Sequence, residues 1–175
     1  MLFEAISLGY FGFLFGGLKM KGKEKVIQNL NTLLAHELGA INQYMVHAEM
    51  CDNWGYKKLH DVTKKRAIEE MKHAEKIIER ILFLEGIPIV TNLGPVHIGA
   101  DVPSQLKHDK EAEAEAIGDY NQAIALAMQE GDAGTAELLK DILKDEEGHL
   151  DFLEAQLDQI NQMGLQTYLA EQLGE

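Results

Sequence analysis

A single cysteine, Cys51, in 175 residues leaves no material for a disulfide framework or for a Cys-based zinc or iron–sulfur site, and suits a reducing cytoplasm. The three prolines all fall between residues 88 and 103, so nothing else in the chain forces a helix to break. Basic side chains are scarce. Lys and Arg number 16 against 29 Asp and Glu, a net charge of −13, which argues against DNA or an anionic membrane surface as the main partner. The runs of alternating Val, Ile and Thr that mark strands are missing, which removes most β architectures. What remains is a chain rich in Ala, Leu, Glu and Gln, long enough to bury a core as one soluble domain, with an acidic field that attracts cations.

Residues 1–19 stand apart. They hold Phe3, Tyr10, Phe11, Phe13 and Phe15, five of the twelve aromatics, and almost no charge. The uncharged stretch from Ala5 to Leu18 is shorter than the roughly 20 residues a membrane span needs. It also lacks the basic start and small-residue cleavage site of a secretory signal. The segment reads as an apolar extension outside the fold, and residues 20–175 as the domain.

From Lys23 onward the apolar period is helical. A first helix over about residues 23–53 carries Leu30, Leu33, Leu34, Leu38, Ile41 and Met45 at spacings of three and four, and Gly55 ends it. A second runs from about Tyr56 to Glu85 and stops at Gly86-Ile87-Pro88. A third starts near Pro103-Ser104 and breaks at Gly131-Asp132. A fourth carries Leu139, Ile142, Leu153, Leu157 and Ile160, and a short fifth helix, about 165–173, follows Gly164. Helices of about 30 residues are about 45 Å long. Short turns make two antiparallel hairpins, and the proline-bearing connection between them can run the length of the bundle. The expectation is all-α: a four-helix bundle with one long crossover between its second and third helices.

Acids and imidazoles interrupt the stripes that should be apolar. The first helix reads Leu30, Leu33, Leu34, Glu37, Leu38, Ile41, and the second Arg66, Glu70, His73, Ile77, Ile81. The third gives Leu106, Glu113, Ile117, Tyr120, and the fourth Leu139, Ile142, Glu146, His149, Leu153. Charge turned into a core is costly unless paired or metal-bound. Two copies of Glu-x-x-His mean little alone, since chance supplies about one. Register carries more weight. A shift of 76 residues takes Glu37, Glu70 and His73 onto Glu113, Glu146 and His149, and also Leu30 onto Leu106, Ile41 onto Ile117, Tyr44 onto Tyr120 and Gly55 onto Gly131. The hairpins read as halves of an internal repeat, which places three donors from each around one pseudo-two-fold axis.

Four carboxylates neutralise two divalent cations, and oxygen with imidazole suits Fe, Mn or Zn. Glu37 with His73 would hold one ion and Glu113 with His149 the other, with Glu70 and Glu146 bridging. The competing reading is a buried polar network in which Arg66, Tyr44 and Tyr120 satisfy the acids.

The stretches MKGKEKVIQNLNTLLAHELGAINQY, NWGYKKL, IEEMKHAEKIIERILFLEGIP, DEEGHLDFLEAQL and MGLQTYL resemble the bacterioferritins, from Met20 to near the C-terminus. The resemblance implies a ferritin-like fold, a cytoplasmic 24-subunit shell, oxidation of ferrous iron by oxygen or peroxide, and storage of the ferric product as a mineral. It makes the same six residues ligands of a di-iron centre and gives Tyr44 a part in electron transfer. It further implies haem b at a two-fold interface, with Met71 as an axial ligand from each partner, and a ferredoxin-type reductase. Two positions depart from the family: Lys65 stands where members with an inner-surface iron site carry His, and Lys64 where a Tyr is often found. A rubrerythrin-like di-iron peroxidase is the runner-up, although its usual Cys₄ module cannot be built from one cysteine.

Overall fold

The computed structural model describes residues 21–174, so the reading of residues 1–19 as an extension lies outside it. Five helices follow in order: α1 (Glu24–Asn53), α2 (Lys57–Phe83), α3 (Val102–Gln129), α4 (Ala133–Met163) and α5 (Leu165–Glu171). No strand occurs among the described residues. The expected boundaries hold to within two or three residues. Met45, placed on the apolar stripe of α1, is 40% exposed, and buried Tyr44 takes that face instead.

Local chemistry sets the ends. Gly55 and Gly131, repeat mates, both adopt a left-handed φ (+83° and +77°) that turns the chain back within each hairpin. Asp101 opens α3 with a capping box to Ser104, beside Pro103 in the first turn. Asp132 opens α4 by accepting from the Thr135 amide at 3.0 Å. It also takes a 2.6 Å bond from Arg80, which ties the end of α2 to the start of α4.

Contacts across the bundle fix its directions. Tyr44 meets Glu113 and Tyr120 meets Glu37, so α1 and α3 are antiparallel. His73 meets Asp145 and Arg80 meets Thr135, so α2 and α4 are antiparallel too. With α1 and α2 a hairpin, α2 and α3 point the same way, and residues 84–101 must climb back along the bundle. They do so against α1. Asn31 binds the backbone of Ile87 and Ile89, Gly94 donates to the Ala35 carbonyl, and His97 and Gly99 donate to Gln43 and His47. A Cβ on Gly94 would lie 3.0 Å from His36 Cα, so glycine is what lets the crossover sit this close.

Two apolar clusters fill the interior. One gathers Leu30, Leu33, Leu34, Ile77, Ile81, Tyr120, Leu139 and Ile142 towards one end. The other, at the opposite end, gathers Cys51, Leu59, Val102, Leu106, Leu153 and Tyr168, the last contributed by α5 as a plug. Each buried Leu or Ile stabilises the fold by about 1.5–3 kcal/mol. Between the clusters lies a polar layer.

Candidate metal centre

All six donors named from the repeat enter that layer, and all are at least 96% buried. Two imidazoles face one another there, their rings 5.9 Å apart and 18° from parallel. Nδ1 of His73 lies 3.8 Å from Glu37 Oε2, 3.0 Å from Glu70 Oε2 and 2.9 Å from Glu146 Oε1. Nδ1 of His149 lies 3.5 Å from Glu113 Oε1, 3.1 Å from Glu70 Oε1 and 3.2 Å from Glu146 Oε2. Glu70 and Glu146 thus turn one oxygen to each imidazole, whereas Glu37 and Glu113 each serve one side. Donor atoms of Glu37, Glu70, His73 and Glu146 all fall within 4.8 Å of one another, and so do those of Glu70, Glu113, Glu146 and His149.

These short separations are not all hydrogen bonds. Glu70 Oε1, Glu146 Oε1 and His149 Nδ1 are buried without a hydrogen-bond partner, because the 2.9–3.2 Å approaches they make lack the required angles. Buried polar atoms are nearly always paired, so three unpaired atoms in one cluster fit a cation site better than a self-satisfied network. The network reading also lacks its cation. Arg66 binds Glu69 at 3.1 Å rather than any of the four buried acids. Tyr44 and Tyr120 donate to Glu113 and Glu37, one oxygen each.

Crowded burial shifts the titrations. Burial, then the nearby Glu146 and Glu70, raises Glu37 well above the ordinary carboxylate range. Burial followed by Glu146 does the same to Glu113. Burial pushes Glu70 up to about 7 against the bond it accepts from His73. For His73, burial opposes protonation, but the adjoining Glu146 and Glu70 carboxylates outweigh it and raise the imidazole to about 11. The metal-free cluster is therefore a proton store, and a divalent cation would displace those protons.

Two carboxylates support the imidazoles, a role the sequence reading gave to neither. Nε2 of His73 bonds Asp145 at 3.2 Å, and Nε2 of His149 lies 3.6 Å from Glu69. Glu69 and Asp145 are related by the same shift of 76, so the repeat held the signal. A carboxylate at Nε2 orients the ring and frees Nδ1 for a cation. Lone Cys51 is buried, 3.4 Å from Gln105, away from the cluster. Met71 is 54% exposed on α2, outside the polar layer, beside Ile68 at 42%.

Two openings reach the layer. On the α1–α3 side, beneath Gly94, Pro95 and His97 of the crossover, a cavity of about 200 Å³ touches Glu37, Tyr44, Glu70, Glu113 and Glu146, and is rimmed by Glu111 and Glu115. The other lies between α2 and α4.

A bundle with one long crossover and a carboxylate–imidazole layer at mid-height defines a ferritin-like protein, and the family model for the ferritin-like domain matches residues 27–163. Among curated proteins, the bacterioferritin of Brucella melitensis is 42% identical over 85% of this chain and 92% of its own length. That of Mycolicibacterium paratuberculosis is 40% identical over 87% and 96%, and that of Rhodobacter capsulatus 41% over 85% and 92%. The chain belongs to the bacterioferritin family. No helix among the described residues is long and apolar enough to cross a membrane.

Proposed function

We propose that this protein stores and detoxifies iron, oxidising ferrous ions at the buried layer and keeping the ferric product as a mineral inside a cytoplasmic shell of 24 copies. One observation carries the reading: two four-donor groups share Glu70 and Glu146, with three of their atoms buried and unpaired. Glu37 and His73 would hold one ferrous ion, Glu113 and His149 the other, and Glu70 and Glu146 would bridge them. Ferrous ions approach through the α1–α3 cavity, whose Glu111 and Glu115 rim draws cations. On their arrival Glu70 gives up its proton and His73 loses the proton on Nδ1, while Asp145 keeps hold of Nε2. Two ferrous ions supply one electron each, and with two protons these reduce oxygen to hydrogen peroxide; peroxide as oxidant takes the same two electrons and two protons to water. Tyr44, held on Glu113 beside the centre, would be the electron-transfer residue of this step, able to supply one of the two electrons in place of an iron ion and to pass its phenolic proton to Glu113.

The residues around Met71 suit a haem shared between two copies. Met71 is exposed, with the exposed Ile68 three residues before it, where a second chain could present the same sulfur. When bound, haem b would supply a one-electron carrier, for which a ferredoxin-type reductase is the matching donor.

Anaerobic ferrous titration of the purified protein should count about two ions per chain before oxygen is admitted. Glu70→Ala and His149→Ala should each abolish rapid oxidation yet leave the shell assembled; normal rates in both would refute the site. Solution mass and a visible spectrum test the rest: a large particle with a Soret band is expected, and a small one without it would leave a rubrerythrin-like oxidase as the better reading.

A further inference from the structure

Behind the imidazoles, on the side away from the crossover, α2 and α4 enclose a depression of about 430 Å³. Lys65, Arg66, Lys72, Lys76 and Lys144 line it, with buried His73 and His149 at its floor. Five of the chain's 16 basic residues thus gather at one place in a protein of net charge −13. The two acids of the depression are already engaged: Glu69 with Arg66 at 3.1 Å and Lys65 at 3.3 Å, and Asp145 with His73 at 3.2 Å. Lys72, Lys76 and Lys144 form no ion pair among the described residues. Lys65, Lys72 and Lys76, at i, i+7 and i+11, share one face of α2, and Lys144 faces them from α4. The space at Gly148 is open, since a Cβ built there would meet nothing within 4 Å.

Such a lining repels divalent cations and cannot be a second ferrous entrance. It attracts a small multivalent anion, for which three unpaired ammonium groups around a concave wall supply charge-assisted donors. Asp145 at the edge adds selectivity, since His73 engages only its Oδ2. Its other oxygen can accept a hydrogen bond from an anion that carries its own proton, as hydrogen phosphate does, and would repel one that is only an acceptor, such as sulfate.

We propose that this depression is a binding site for inorganic phosphate, held by Lys72, Lys76 and Lys144 within reach of the two-metal layer. Binding itself depends only on the lysines. A role for the anion as counter-ion to ferric ions leaving the layer rests on the function proposed above.

The test is equilibrium dialysis of the metal-free, full-length protein against labelled inorganic phosphate at low salt. Saturable binding of about one phosphate per chain is expected, weakened about tenfold or more by Lys72→Glu with Lys144→Glu. Lys72→Gln with Lys144→Gln, which adds no negative charge, should weaken it less but in the same direction. Absence of saturable binding, or equal binding in both variants, overturns the proposal, and sulfate competing as well as phosphate overturns the choice of anion. Anaerobic cobalt(II) uptake is counted on the same samples and should stay at about two ions per chain in parent and variants. Loss of cobalt uptake in the parent with phosphate binding intact would refute the metal reading and leave this one standing.

Discussion

The α1–α2 and α3–α4 hairpins bring identical donors to the polar layer, yet they border it with opposite materials. Beside Tyr44, Gln43 donates to Asp109 at 2.8 Å, and His47 contacts the same carboxylate at 2.9 Å. The repeat mates of that trio are Asp119, Ala123 and Leu33. Ala123 and Leu33 belong instead to the apolar cluster that encloses Tyr120. The crossover accounts for the difference. There is one per chain, it lies on α1, and its inward-facing amides need acceptors, which Gln43 and His47 provide to His97 and Gly99. Duplication set the donors, and the connection that joined the two copies made one flank polar and left the other dry.

The largest expected effect lies in the layer the halves share. Glu70 rises from the ordinary 4.5 to about 7 on folding, so its protonated form favours the folded state. That contribution, about 3 kcal/mol, is complete below about pH 4.5 and lost as pH climbs through about 7. His73 has the same sign: raised from 6.5 to about 11, it stabilises fully below about 6.5 and loses that stabilisation through about 11. Metal-free protein should therefore melt several degrees lower at about pH 8 than at about pH 5, and Glu70→Gln should flatten the slope. Thermal melts with and without a bound divalent cation check this, and an unchanged slope in the variant would move the source elsewhere.

Periodicity exposed the helices because α1 to α4 are long, carry no proline beyond the first turn of α3, and three of them, α1, α3 and α4, end at Gly55, Gly131 and Gly164. The convergence of six side chains was legible for a different reason: an acid on an apolar stripe costs too much to be accidental, and the 76-residue register repeats it. What the register did not convey was the layer around the donors. Asp145 and Glu69 are solvent-facing by helical spacing, and only the approach of α2 to α4 shows them at the imidazoles. The Gln43–His47–Asp109 network depends on where an irregular segment lies against α1, which no period encodes. The lysine depression likewise needs Lys144 to face α2, a matter of helix packing rather than of spacing.

The next effect sharpens the symmetry. Asp145 makes a 3.2 Å hydrogen bond to His73, while Glu69 stands 3.6 Å from His149 and is shared with Arg66 and Lys65. Asp145→Asn should weaken metal affinity about 10–100-fold, near the usual cost of losing such a support, and Glu69→Gln by the lower end of that range. Anaerobic cobalt(II) titration measures both. Equal losses would mean that the looser contact closes up once a cation is bound, restoring the two-fold symmetry.

The smallest effect separates the tyrosines. Both hydroxyls are held protonated, Tyr44 by burial and then Glu113, Tyr120 by burial and then Glu37. Replacing either with Phe strips one bond from a buried carboxylate. Water in the α1–α3 cavity can reach the oxygen that Tyr44 abandons, because that cavity touches both Tyr44 and Glu113. Glu37 also lines that cavity but Tyr120 does not, so the space the Tyr120 hydroxyl leaves lies off the cavity, in the cluster of Leu33, Ala123 and Ile142, where water is harder to admit. Tyr120→Phe should thus cost about 1–3 kcal/mol of stability, and Tyr44→Phe about 1 kcal/mol or less. Rates should reverse the order, with Tyr44→Phe slowing ferrous oxidation and Tyr120→Phe leaving it close to normal. Denaturant midpoints of the metal-free proteins and stopped-flow oxidation of the loaded ones read the two columns independently. Equal stability costs would mean the polar flank is as closed to solvent as the apolar one, and equal rates would return Tyr44 to the structural part its repeat mate plays.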